Sequence, residues 1–187
     1  VKERYDIKFE NYGVAILHPV TTNIKNLKNE SVIFLNALKK SKKNFVLIYP
    51  NNDYGSNIIL NEYKKINSEN IRILPSIRFE YYLTLLKNSK VIVGNSSSGI
   101  MEAPYYGVSI INIGDRQKNR SKLKEIKHCI FNEKKILHLL NNAFLKLKKY
   151  KIKTEFGTGQ SFKIFDRILK SKKLWKINTQ KQFQDIN

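Results

Sequence analysis

The stretch Gly94-Asn95-Ser96-Ser97-Ser98-Gly99-Ile100-Met101-Glu102 has the residue types of an anion-holding turn. It follows an apolar run, Val91-Ile92-Val93, and opens into a helix-like pattern. A strand feeding a helix through such a turn leaves backbone N–H groups pointing outward, where they and the serine hydroxyls favour a phosphate. Glu102 falls about one turn into that helix, where a carboxylate can accept from two vicinal hydroxyls such as those of a ribose. Phosphate donors beside a hydroxyl acceptor suggest a nucleotide. Plain helix capping by the serines is the competing reading, and the motif alone leaves both open.

Two further loops carry candidate chemistry. His18 follows an apolar run directly and precedes Pro19, whose ring stiffens the loop. A histidine there can donate to a diphosphate oxygen or protonate a leaving phosphate; a local hydrogen bond at a strand end is the plainer alternative. Gly114-Asp115-Arg116-Gln117-Lys118-Asn119-Arg120 holds two of the six arginines in a chain otherwise rich in lysine. Arginine's forked donors match phosphate and carboxylate. There is no Walker lysine motif, no Ser-His-Asp set, and no metal-ligand spacing among His18, His128 and His138. Neither a metal nor a cofactor is expected.

These loops need elements to hold them. Apolar runs predict strands over 13–17, 45–49, 71–74, 91–93 and 108–113. Helical spacing predicts helices around 32–38, from the 51–56 loop to about 66, over 79–86 with Phe79, Tyr82, Leu83 and Leu86 on one face, up to about 106, over 136–147, and over 162–169. Strand–helix alternation without period two in the strands predicts an α/β fold: a Rossmann-like parallel sheet with helices on both faces. In such sheets ligands bind beyond the carboxyl ends of the strands. His18, the 51–56 loop, the serine loop and the 114–120 loop all follow strands, so all should gather on one rim.

Composition narrows the partners. The 187 residues suit one domain over 1–170, followed by a polar, basic, frayed tail over 171–187. The net charge of +20 comes almost entirely from lysines scattered over helix faces. No recognisable module of arginines and stacking aromatics accompanies it, so nucleic acid is not an expected partner. No apolar run approaches a membrane span and no signal-peptide pattern opens the chain. With Cys129 as the sole cysteine, a reducing cytoplasm is the expected compartment. The chain begins at Val1 and not at Met, which reads as a fragment or a processed product.

The loops together resemble the hydrolysing UDP-N-acetylglucosamine 2-epimerase family, in its sialic-acid and legionaminic-acid branch. The resemblance rests on Leu17-His18-Pro19-Val20-Thr21, Tyr49-Pro50-Asn51-Asn52-Asp53-Tyr54-Gly55-Ser56, the serine loop with Glu102 and Ala103, the 114–120 loop and Phe156-Gly157-Thr158-Gly159-Gln160-Ser161. It runs from about residue 12 to 169 and matches only the family's second half. It implies the C-terminal domain of a GT-B-type two-domain enzyme, with UDP held in this half and the acid and base carboxylates in the absent N-terminal domain. The implied chemistry is elimination of UDP followed by hydration to a free 2-epimeric sugar such as N-acetylmannosamine. The resemblance further implies that Ser96 and Ser97 bind the diphosphate at the helix start with Ser98 and Gly99 also on the UDP, that Glu102 accepts from the ribose, and that His18, as the catalytic residue, and Arg116, with Gln117 beside it, contact the phosphates and assist departure of UDP. Residues 76–82, including Tyr82, would line the uracil pocket, and Asn51 and Asp53 would shape the loop. A homo-oligomer is implied as well. A GT-B glycosyltransferase donor domain and a non-catalytic remnant are the alternatives. Three positions depart from the family pattern: Asn119 stands where Gly is usual, Met101 where Arg is common, and Ser109 in place of Pro.

Overall fold

The computed structural model describes residues 1–180, and the last part of the expected tail, 181–187, lies outside the described residues. Six strands form one parallel sheet: β1 (Gly13–Ile16), β2 (Phe45–Ile48), β3 (Ile71–Leu74), β4 (Val91–Gly94), β5 (Ser109–Ile113) and β6 (Ile126–Cys129). Their order is β3-β2-β1-β4-β5-β6. The chain therefore winds outward from β1 to β3, then returns to the other side of β1 to continue through β4. The carboxyl ends of β1 and β4 lie side by side at this reversal, with Ile16 opposite Gly94. That is where an open α/β sheet forms its ligand crevice.

Strands β1, β2, β4 and β5 are buried at every position, as a sheet covered on both faces requires. Alternate residues supply the two cores. On one face Ala15, Leu47, Val93 and Ile111 pack with residues of α1 (Ile24–Lys40), α2 (Ser56–Tyr63) and α5 (Glu133–Leu145). On the other, Val14, Val46, Ile92 and Ile110 pack with Tyr82, Leu85 and Leu86 of α3 (Phe79–Asn88) and with Ile100 of α4 (Ser98–Met101). In α1, Leu27, Ser31, Phe34, Leu35 and Leu38 recur at helical spacing on the buried side.

The structure departs from the expected elements in three places. β6 was not foreseen: it is an edge strand of four residues, with Lys127 and His128 exposed, too short and too polar to stand out. The expected helix from the serine loop to 106 is two pieces, α4 and a 3₁₀ turn over Ala103–Tyr106 that holds Pro104. Proline lacks the N–H needed to continue the α-helical ladder there. Phe79, grouped with the apolar face of α3, is 60 % exposed.

By internal contacts the chain divides into two units, Val1–Lys153 and Thr154–Asn187. The first unit holds the whole sheet. The second contains α6 (Ser161–Leu169) and a 3₁₀ turn, Leu174–Lys176, with Trp175 Nε1 donating to the Leu169 carbonyl at 2.8 Å.

Candidate functional site

The strand-end loops of the first unit meet at the reversal between β1 and β4. Asn95, 1 % exposed, ties them together. Its Oδ1 accepts from the His18 backbone N–H at 2.7 Å and its Nδ2 donates to the His18 carbonyl at 2.8 Å. Its own carbonyl accepts from Arg116 Nη1 at 3.2 Å and from Gln117 Nε2 at 3.0 Å. Arg120 Nη1 donates to Gln117 Oε1 at 2.8 Å and fixes which way that buried amide faces. Thus the loops after β1, β4 and β5 are joined through one asparagine, and the serine segment and the arginine loop are neighbours.

The loop after β2 joins from the other side. The Asn51 backbone N–H donates to His18 Nδ1 at 3.0 Å, Asn51 Nδ2 donates to Asp53 Oδ2 at 2.6 Å, and Arg116 Nη2 lies 3.9 Å from the same oxygen. Because Nδ1 is an acceptor, the proton of a neutral His18 resides on Nε2. Burial, reinforced by the nearby Arg116 cation, pushes His18 from 6.5 down to about 4, against an opposing pull from Asp53. At neutral pH His18 is therefore an uncharged hydrogen-bond donor rather than an imidazolium.

The sign of the resulting pH dependence is fixed. The unfolded chain binds a proton on His18 below about 6.5 and the folded one only below about 4. Stability should be unaffected by this group above 6.5 and should fall as pH drops through that window, by about 3 kcal/mol in all. His18→Gln is expected to remove that part of the slope in urea denaturation measured from pH 7 to pH 4; an unchanged slope would show that His18 titrates normally.

A cavity of about 360 Å³ opens beside this knot. Ile48, Tyr49, Ile77 and Phe79 line it from the β2–β3 side; His18, Ser96, Ser97, Ser98 and Glu102 line it from the β1–β4 side. The exposure of Phe79 is thus exposure at the cavity. Tyr82 reaches across, its hydroxyl hydrogen-bonded to Ser98 Oγ. Ser96 Oγ accepts from the Ser98 N–H at 3.3 Å. The N–H groups of Ser96 and Ser97 have no acceptor among the described residues. An apolar wall opposite free N–H groups, a neutral imidazole donor and a carboxylate, with a guanidinium nearby, suits a ligand with a flat ring at one end and phosphates further along.

The model of the UDP-N-acetylglucosamine 2-epimerase family matches residues 1–170. The chain belongs to that family. The UDP-N-acetylglucosamine 2-epimerase of Neisseria meningitidis serogroup B is 41 % identical to it over 190 residues, covering all of this chain and 50 % of that protein. The hydrolysing GDP/UDP-N,N'-diacetylbacillosamine 2-epimerase of Campylobacter jejuni is 34 % identical over 140 residues, covering 73 % of this chain and 35 % of that one. The chain thus spans half the length, or less, of these curated relatives. Among solved structures, the Methanocaldococcus jannaschii UDP-GlcNAc 2-epimerase in complex with UDP-GlcNAc and UDP superposes with a TM-score of 0.69 at 20 % identity, covering 90 % of this chain and 47 % of that one, so the fold is shared.

Within this family framework the expected residues take different places. His18, Ser96, Ser97, Ser98, Glu102 and Tyr82 line the cavity; Arg116, Asn51 and Asp53 stand beside it in the His18 network. Gln117, 1 % exposed, is enclosed with its amide on the Asn95 carbonyl, and Gly99 is buried, its N–H donating to the Ser96 carbonyl at 3.1 Å. Neither lines the cavity. Asn119 has φ +62, and asparagine is among the residues that best tolerate such a conformation. The sequence reading put Asn95 in the rim segment with the serines but gave it no role of its own, and it did not place Ile48 and Tyr49 at the cavity wall. A polar residue directly after a strand's terminal glycine was the available signal for Asn95. Burial holds the Cys129 thiol up at about 11, so it stays protonated at neutral pH. Among the described residues no helix is long and apolar enough to cross a membrane, and no group of three or more His, Cys, Asp or Glu is placed to hold a metal.

Proposed function

We propose that this chain is the UDP-binding half of a hydrolysing UDP-N-acetylglucosamine or UDP-diacetamido-sugar 2-epimerase. The observation that carries the reading is the junction at Asn95, which brings Arg116 and His18 to the serine loop beside a cavity with an apolar wall. The uracil ring stacks against the wall made by Ile77, Phe79 and Tyr82, and Glu102 accepts from the ribose. The diphosphate takes the free N–H groups of Ser96 and Ser97, the His18 Nε2–H and the Arg116 guanidinium. Negative charge grows on the diphosphate as the sugar C1–O bond breaks. Donors already aimed at it stabilise that charge without reorganising. In this half the residues bind the leaving group; the carboxylates that move the sugar's protons belong to the N-terminal half of such an enzyme, outside these 187 residues. A place in the making of sialic-acid-type sugars and a cytoplasmic setting belong to the same reading.

Calorimetric titration of the chain with UDP is expected to give saturable, weak binding. Arg116→Ala should weaken it by about 10- to 100-fold, the value of a charge-assisted hydrogen bond, with circular dichroism confirming the fold. Absence of saturable UDP binding would refute the site. Incubation of the chain alone with UDP-N-acetylglucosamine should release no sugar; release would refute the division of labour between halves. Supplying the N-terminal half should yield a free 2-epimeric sugar, whereas transfer to an acceptor would identify a glycosyltransferase instead.

A further inference from the structure

The opposite end of the sheet carries a second built cavity. It has a volume of about 210 Å³, far more than the roughly 30 Å³ a water molecule occupies. It opens at the amino ends of β4 and β5 and is lined by Ser109, Lys90, Lys146, Lys148 and Lys149 among others. Ser109 is 9 % exposed and lines this cavity. Ser109 also lines the adjoining cavity, where Glu125 is already paired with Lys153 at 3.3 Å.

The lysines are held in place by the backbone. After α5 the chain folds back so that the Tyr150 N–H donates to the Gly107 carbonyl at 2.8 Å and the Lys153 N–H donates to the Pro104 carbonyl at 3.1 Å. Gly107 has φ +63, and a Cβ there would sit 2.2 Å from the Tyr150 carbonyl oxygen, so this close approach depends on glycine. Lys149 Nζ donates to the Lys87 carbonyl, and Lys146 lies over the Tyr150 ring. None of Lys87, Lys90, Lys146, Lys148 and Lys149 forms an ion pair among the described residues. Burial and the like charges of Lys87 and Lys90 push the Lys149 ammonium below its usual range. Cations gathered without a counter-ion beside a serine hydroxyl in one cavity describe the complement of an anion.

We propose that this cavity is a second ligand site, for a small phosphate-class anion, with Ser109 donating from the floor and Lys90, Lys146 and Lys149 closing around it. It lies at the end of the sheet away from the UDP cavity and does not depend on the reading of that cavity.

Amide NMR of the full chain titrated with inorganic pyrophosphate tests it. Saturable shifts at Ser109 and Lys90 are expected, unchanged in Arg116→Ala, which weakens only the other site. The double variant Lys90→Gln/Lys149→Gln should bind about tenfold more weakly per lysine removed, and Ser109→Ala, the variant least able to disturb the fold, several-fold more weakly. Shifts that stay linear in pyrophosphate, or that saturate identically in Ser109→Ala and in the double variant, would overturn the proposal. A parallel titration of Arg116→Ala with UDP separates the sources: saturation at Ser109 supports the site as one for a nucleotide's diphosphate, while saturation with pyrophosphate alone supports it as one for the free anion.

Discussion

Asn95→Ala is expected to destabilise the chain by about 2–5 kcal/mol and to remove measurable UDP binding, because it leaves two buried backbone groups without partners at about 1–3 kcal/mol each. Those groups are the His18 N–H and carbonyl, held at 2.7 and 2.8 Å by a side chain that is 1 % exposed. The methyl of alanine replaces neither hydrogen bond, and no other described side chain is bonded to these atoms. The loop after β1 then loses its register against the loop after β4, and with it the direction of His18 Nε2. Asn95→Asp separates the two halves of the effect. It retains the acceptor for the His18 N–H but loses the donor to the carbonyl, and it sets a charge against that oxygen in a buried place. It should be no more stable than Asn95→Ala. Urea denaturation and a UDP titration of both variants check this. A loss below about 1 kcal/mol with UDP affinity intact would mean that the loops hold their positions without the asparagine.

Gly94→Ala should be the more damaging change, at more than about 4 kcal/mol or with no recoverable folded protein. Gly94 has φ +134, a region closed to L-residues, and a Cβ there would lie 1.8 Å from the Ile16 carbonyl oxygen. The obstacle is backbone, so no side-chain rotamer can relieve it. Only separation of β1 from β4 could, which would break the Asn95 N–H bond to Ile16 O at 3.2 Å and open the crevice itself. Gly99→Ala in the same segment supplies the contrast. Its φ is not positive, and its Cβ would first meet the Ile110 side chain at 3.4 Å, an ordinary contact. That variant should stay within about 1 kcal/mol of the parent, since alanine's helix propensity favours it. Thermal denaturation of the pair decides the matter, and similar melting temperatures would refute the steric account.

The two glycines show how far the residue types alone reach. Both belong to one motif in the sequence, and nothing local separates the one whose missing side chain lets two strands close from the one that simply packs. The difference comes from Ile16, nearly eighty positions away in the chain and brought opposite Gly94 by the strand order. Gln117 and Phe79 make the same point in opposite directions. Gln117 sits in a basic loop that reads as ligand-binding, yet it is enclosed and holds Asn95; Phe79 reads as core, yet it lines the cavity. Helical spacing says which residues share a face but not where that face overhangs a strand end.

Legible in the residues alone were the architecture and the rim: five of the six strands, their parallel sense, and the convergence of His18, the 51–56 loop, the serine segment and Arg116 on one edge. Apolar periodicity and turn chemistry are local properties, and in a parallel α/β sheet the strand ends that carry loops to the ligand follow from chain direction. The protonation of His18, the role of Asn95, the wall of the cavity and the lysine cluster at the far edge emerge only in the folded chain. Each depends on burial or on a hydrogen bond between groups distant in the chain, and desolvation and directional pairing exist only once those groups have been brought together.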